Sequence, residues 1–188
     1  MFTEEQKTQF DDIFKSLGDS LDVTQSQFEA AVRSYRAVGD WLSKPESSLA
    51  PYKPEIRPQG SFMLGTMIRP VNEKDDLDVD LVCELVGKNP NWTQFDLKQK
   101  IGARIRNNET YCGMLQKEGR RCWTLRYSDT ANYHMDILPS LVCHGYGAVL
   151  EQAFSASLSG TPSYEQLAIR ITDNVEPNYR MKATLTFG

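Results

Sequence analysis

The chain has 188 residues, 40% of them apolar and 24% charged, with a net charge of −4 and a pI near 5.3. That length suits one well-buried domain with a small appendage, and the acidic balance gives no general attraction to long DNA or RNA. No apolar run reaches membrane-spanning length, and residues 1–6 lack the basic and apolar regions of a signal peptide, so a cytoplasmic protein is expected. The four cysteines (Cys83, Cys112, Cys122 and Cys143) form no C-x-x-C pair, which points to reduced thiols and against a zinc site.

In chain order, Phe10, Ile13, Phe14 and Leu17 have helical spacing and predict a helix over 3–17. A second helix runs to about Ser43, with Asp22 or Thr24 as its cap and Phe28, Val32, Tyr35, Val38 and Leu42 on one stripe. Pro45, Pro51, Pro54 and Pro58 mark a surface loop, within which Glu55-Ile56-Arg57 is a short extended piece. A helical turn follows at 61–65, then a strand over 77–86 and a helix over 93–107. Residues 121–128 and 133–138 predict an antiparallel hairpin turning at 129–132, and 167–172 a further strand. The fold class is α+β: two leading helices, then a short sheet with a helix between its strands.

Two basic clusters stand out: Lys98, Lys100, Arg104 and Arg106, taken as a solvated face, and Lys117, Arg120, Arg121 and Arg126. Trp92, Trp123 and Tyr127 are expected to serve core packing rather than base stacking.

The densest chemistry lies in Asp76-Leu77-Asp78-Val79-Asp80-Leu81-Val82. Residues two apart on a strand share a face, so these carboxylates project together, with Val79, Leu81 and Cys83 on the opposite side. Like charges stacked this way repel unless neutralised, and a divalent cation is the obvious partner. Asp78 and Asp80 are preferred over Asp76, a bystander, because the apolar strand run continues directly from Asp80. Asp136, in His134-Met135-Asp136-Ile137, joins them if its strand lies beside theirs. His134, on the same face, is taken as a sheet residue rather than a base. Upstream, Gly60-Ser61 can present backbone N–H groups and a hydroxyl to phosphate at a helix start. The bland alternative is an acidic loop at an edge strand, a solvated Asp136 and a plain Gly-Ser turn.

Together, Gln59-Gly60-Ser61, Gly65-Thr66-Met67-Ile68-Arg69-Pro70, Asp78-Val79-Asp80-Leu81-Val82 and then Asp136 resemble the polymerase-β-like nucleotidyltransferase superfamily. More narrowly, they are similar to bacterial relatives of cyclic GMP-AMP synthase and oligoadenylate synthetase, over residues 58–172; Ile171-Thr172-Asp173 also looks like that family. The resemblance implies a palm-like mixed or antiparallel sheet, with 1–50 as a helical spine, 55–175 as the catalytic core and 176–188 as a truncated tail. It implies Asp78, Asp80 and Asp136 as catalytic ligands of Mg²⁺ (or Mn²⁺), and Gln59, Gly60 and Ser61 as the nucleoside triphosphate site. It further implies synthesis of a cyclic oligonucleotide in anti-phage defence of the CBASS type. A C-terminal helical lobe, or a regulatory partner, is then expected to be supplied separately. Transfer to another acceptor (a tRNA, a protein or a small molecule), or nucleotide binding without turnover, stays open beside that reading.

Overall fold

The computed structural model describes residues 2–70, 72, 75–127, 133–142 and 169–182. Three of its helices start with the same local device. Thr3, Thr24 and Thr93 each accept a backbone N–H from the residue three ahead, whose side chain reaches back to the cap. These caps open α1 (Glu4–Leu21), α2 (Gln25–Ser43) and α4 (Gln94–Arg106). The choice between Asp22 and Thr24 thus falls to Thr24.

Strands β1 (Glu55–Pro58), β2 (Leu77–Leu85), β3 (Trp123–Tyr127), β4 (Tyr133–Val142) and β5 (Ile169–Ile171) form one mixed sheet. Its order is β1-β2-β4-β3, and β5 pairs with the far end of β4. The expected hairpin of β3 and β4 is present and antiparallel, while its turn at 129–132 lies outside the described residues. The central pairing, β2 with β4, is parallel and sets Leu77 through Leu85 against Tyr133 through Leu141.

Alternation along β2 and β4 builds the core. Leu77, Val79, Leu81, Cys83 and Leu85 share a buried face with Tyr133, Met135, Ile137 and Leu141. Against it pack Ala31, Val38 and Leu42 of α2 and Leu97, Ile101 and Ile105 of α4. Trp123 of β3 fits here because position 102 is glycine: a Cβ there would lie 2.4 Å from the indole ring. Its ring nitrogen donates to the Lys98 carbonyl at 2.8 Å. Trp92 packs on Tyr52, and Tyr127 stacks on Tyr133, so all three aromatics serve packing.

The basic cluster on α4 is not the solvated face expected of it. Lys98 is fully buried and Arg104 nearly so. Lys98 Nζ donates to the Gly119 and Arg120 carbonyls at 2.6 and 2.9 Å and pairs with Glu118 at 3.1 Å. Arg104 donates to the Trp41 carbonyl at 2.9 Å, and Trp41 Nε1 returns a bond to the Arg104 carbonyl at 2.7 Å. Long cationic side chains can be buried when every donor finds an acceptor. Here they staple α4 to α2 and to the loop ahead of β3.

Two further elements have no counterpart in the expected set. A 3-10 turn spans Ala50–Tyr52, and α5 (Glu109–Met114) follows α4, capped by the Asn108 side chain. By contrast α1 runs four residues beyond its expected end and buries none of its residues. It is tied to the rest where Arg69 donates from its side chain to the Ser20 carbonyl and from its backbone to the Leu21 carbonyl. No helix among the described residues is long and apolar enough to cross a membrane.

The loop before β3 is anchored by Asp173, whose side chain is only 3% exposed. Its carboxylate accepts from Arg120 Nε at 2.8 Å, Arg121 Nε at 2.9 Å and the Val175 amide at 3.2 Å. The Arg120 hydrogen bond, followed by that of Arg121, holds this carboxyl well below the usual range. A lowered folded-state pKa stabilises the fold above the unfolded value of about 3.8, and that benefit is lost as pH falls below it. Asp173→Asn is therefore expected to lower the melting temperature at pH 7 by roughly 5 °C. The gap to wild type should narrow progressively in melts from pH ~4 downward, closing only as pH falls through the lowered folded-state value.

Candidate active site

The second face of the sheet carries the polar chemistry, and the register shows how. Asp80 lies directly opposite Asp136, which in turn lies opposite Thr124, so one row crosses β2, β4 and β3. The next row is Asp78, His134 and Arg126. Toward the other end of β2 this face closes over, with Val82 and Glu84 buried, and Arg57 Nε of β1 meets Glu84 at 3.1 Å. The carboxylate pair is thus at the open end of a face that is otherwise covered.

Asp78, Asp80 and Asp136 each place a carboxylate oxygen so that all three lie within 4.8 Å of one another. They are the group of this kind found among the described residues. Asp80 bears the electrostatic cost: partial burial, then repulsion from Asp78 and Asp136, raises its pKa. His134 Nε2 is 3.1 Å from Asp78 Oδ1 and orients that side chain. Asp136 accepts the Thr124 hydroxyl on Oδ1 at 2.5 Å and the Cys122 thiol on Oδ2 at 3.4 Å. Burial, then the neighbouring Asp136 charge, pushes the Cys122 thiol up to about 11, so it is a donor at neutral pH. Asp76 is held by Arg126 at 2.9 Å and stands outside the three.

Gln59 caps the short helix α3 (Gly60–Leu64), and its backbone N–H donates to the Asp80 carbonyl at 2.8 Å. Gly60 has φ of +59°, and a Cβ built there would lie 2.7 Å from Asp80 Oδ2. The glycine is required twice, by its left-handed backbone and by contact with a site carboxylate. Ser61 follows, half-buried, in the first turn of α3. Asp78, Asp80, Asp136 and Gly60 therefore meet on the open part of the sheet face, with Gln59 and Ser61 flanking Gly60 in the chain.

Sequence reasoning missed Thr124, Cys122 and the Asp78 contact of His134. The period-two alternation of β3 places Thr124 on the polar face, but only the register shows that it faces Asp136.

Residues 54–139 match the family model described as the cyclic GMP-AMP synthase DncV-like nucleotidyltransferase domain. That span contains Gln59, Gly60, Ser61, Asp78, Asp80 and Asp136. Residues 54–139, a little under half of the chain, are thus similar to a DncV-like nucleotidyltransferase domain. The chain is 24% identical over 181 residues to a c-di-GMP synthase of Roseivirga ehrenbergii, covering 94% of this chain and 47% of that protein. It is 28% identical over 130 residues to the cyclic dinucleotide synthase CdnG of Bradyrhizobium diazoefficiens, covering 69% of this chain and 30% of that one. The chain thus spans less than half the length of either relative. The structure of the Bradyrhizobium CdnG in complex with GTP superposes with a TM-score of 0.55 at 24% identity, over 65% of this chain and 34% of the other. The mixed sheet and its flanking helices are the nucleotidyltransferase fold, as the sequence resemblance implied.

The donor set fits a hard divalent cation. It offers three carboxylates from two adjacent strands, one of them raised in pKa by burial and then by the other two. Oxygen ligands of this charge suit Mg²⁺ or Mn²⁺ rather than a thiophilic metal. Cys83, Cys112 and Cys122 are free thiols, and Cys143 lies outside the described residues.

Proposed function

We propose that this chain is the catalytic core of a cytoplasmic, Mg²⁺-dependent nucleotidyltransferase that joins nucleoside triphosphates into a cyclic oligonucleotide, a signal in anti-phage defence. The observation that carries the proposal is the convergence of Asp78, Asp80 and Asp136 within 4.8 Å, beside a glycine that only just clears Asp80. The family match and the cyclic dinucleotide synthases among its relatives support the reaction class. On this reading 1–50 form a spine, 55–175 the catalytic core and 176–188 its tail.

Asp78, Asp80 and Asp136 would hold the cation, with Asp78 oriented by His134 and Asp136 by donors from β3. Once bound, the cation supplies positive charge for the triphosphate oxygens and for the departing pyrophosphate. Gln59, Gly60 and Ser61 bind the donor triphosphate, whose approach the missing side chain at position 60 allows. The reaction forms a bond from a nucleotide 2′- or 3′-hydroxyl oxygen to the α-phosphorus. The bond to pyrophosphate breaks, and the hydroxyl proton passes to solvent. Repetition followed by ring closure gives the cyclic product.

The test incubates the protein with α-labelled nucleoside triphosphate pairs and Mg²⁺, then treats the products with phosphatase. A phosphatase-resistant nucleotide that disappears in the Asp78→Ala/Asp80→Ala double variant is the expected result. Persistence of that product in the double variant overturns the assignment. A product carrying the label on a tRNA, protein or small molecule reassigns the acceptor. A melting temperature raised by nucleotide and Mg²⁺ without pyrophosphate release indicates binding alone.

A further inference from the structure

We infer that Thr124 is a positioning residue for Asp136, setting the third carboxylate in place before any cation arrives. The inference rests on the reading of Asp78, Asp80 and Asp136 as the cation site. In the row that crosses the sheet, Asp136 has a carboxylate on one side, Asp80, and a hydroxyl on the other, Thr124. Residues directly opposite on paired strands bring their side chains within reach of each other. The Thr124 hydroxyl uses that proximity fully, donating to Asp136 Oδ1 at 2.5 Å. A hydroxyl bound to a carboxylate is among the strong, short hydrogen bonds.

Without this donor, the Asp136 carboxylate would be free to rotate under the repulsion from Asp80. Thr124 limits that rotation by fixing the carboxylate plane, because a β-branched side chain has little χ1 freedom of its own. The Cys122 thiol, at 3.4 Å from Oδ2, reaches the other oxygen as a weaker donor. Each oxygen of Asp136 therefore has a neighbour from β3 or its lead-in. Hydrogen-bond partners of metal-binding carboxylates commonly account for 10–100-fold in affinity.

The experiment titrates Mn²⁺ into the protein and follows free Mn²⁺ by electron paramagnetic resonance. Four proteins are compared: wild type, Thr124→Val, Thr124→Ser and Asp136→Asn. Valine keeps the shape and removes the hydroxyl, whereas serine keeps the hydroxyl. The expected result is a Kd raised about tenfold in the valine variant and within about twofold of wild type in the serine variant. Asp136→Asn should lose the site. Equal Mn²⁺ affinity in the valine variant and wild type overturns the inference while leaving the cation site standing. If Asp136→Asn binds like wild type, or wild type binds no Mn²⁺, the cation reading falls and the inference with it. Thermal melts without metal separate misfolding from positioning. A valine variant that melts with wild type yet binds weakly supports positioning. One whose weakened binding follows a lost fold, and which serine does not rescue, counts against it.

Discussion

Replacing Asp80 with asparagine will raise the melting temperature of the metal-free protein and abolish the further rise that Mn²⁺ gives the wild type. The reason is the cost already visible at this position. Asp80 is partly buried and faces two other carboxylates, and its pKa is raised by both. A carboxyl whose folded pKa exceeds its unfolded value destabilises the fold once pH rises above that unfolded value. Asparagine keeps the shape and removes the charge, so the melting temperature should rise by a few degrees at pH 7. The gain should shrink as pH falls through the raised folded-state value toward the ordinary carboxylate range, where wild-type Asp80 takes up a proton itself. Mn²⁺ at a hundred times its Kd would stabilise the wild type by about 2.7 kcal/mol, or roughly 5–10 °C, and the variant not at all. Scanning calorimetry with and without Mn²⁺ measures both effects. A variant that melts below wild type in the absence of metal would show that the repulsion is already relieved within the chain. Such a trade of stability for a charged site is expected of a functional cluster of the kind proposed.

The second large effect is expected at Gly60. Alanine there meets two penalties that can be told apart. The backbone φ of +59° strains any residue with a Cβ, by about 1–2 kcal/mol. The Cβ would also lie 2.7 Å from Asp80 Oδ2, so the carboxylate has to move. Gly65 provides the control, since its φ is +66° and a Cβ there meets nothing within 4 Å. Gly65→Ala should thus lose about 1–2 kcal/mol and keep its Mn²⁺ response. Gly60→Ala should lose at least as much stability and most of the Mn²⁺-dependent rise in melting temperature. If the two variants respond to Mn²⁺ alike, the contact between position 60 and Asp80 does not shape the site.

Much of this architecture was legible in the residues. Alternation along 77–86 marked both the buried face of β2 and its carboxylate face, because period two is a local property. The 3.6-residue apolar stripes located α2 and α4 for the same reason, with Thr24 one of the two caps considered for α2. What escaped was non-local. Nothing in the sequence states that β2 and β4 run parallel with Asp80 opposite Asp136, or that Thr124 completes that row. Lys98 and Arg104 look like solvated charges on a helix, and only the carbonyls of a distant loop and of Trp41 explain their burial. The short helix α5 has only six residues, too few for periodicity to register.

The parallel pairing of β2 with β4 also bears on how the protein folds. Asp80 and Asp136 are partners in register although more than fifty residues separate them in the chain. Closing so long a loop costs entropy before any reward is gained, and topologies dominated by such pairings fold slowly. The carboxylates come together only when this long-range strand pairing forms, so chains in which it has not formed lack the assembled cluster. A divalent cation bound as proposed would then act on the native state alone, slowing unfolding while leaving the folding rate nearly unchanged.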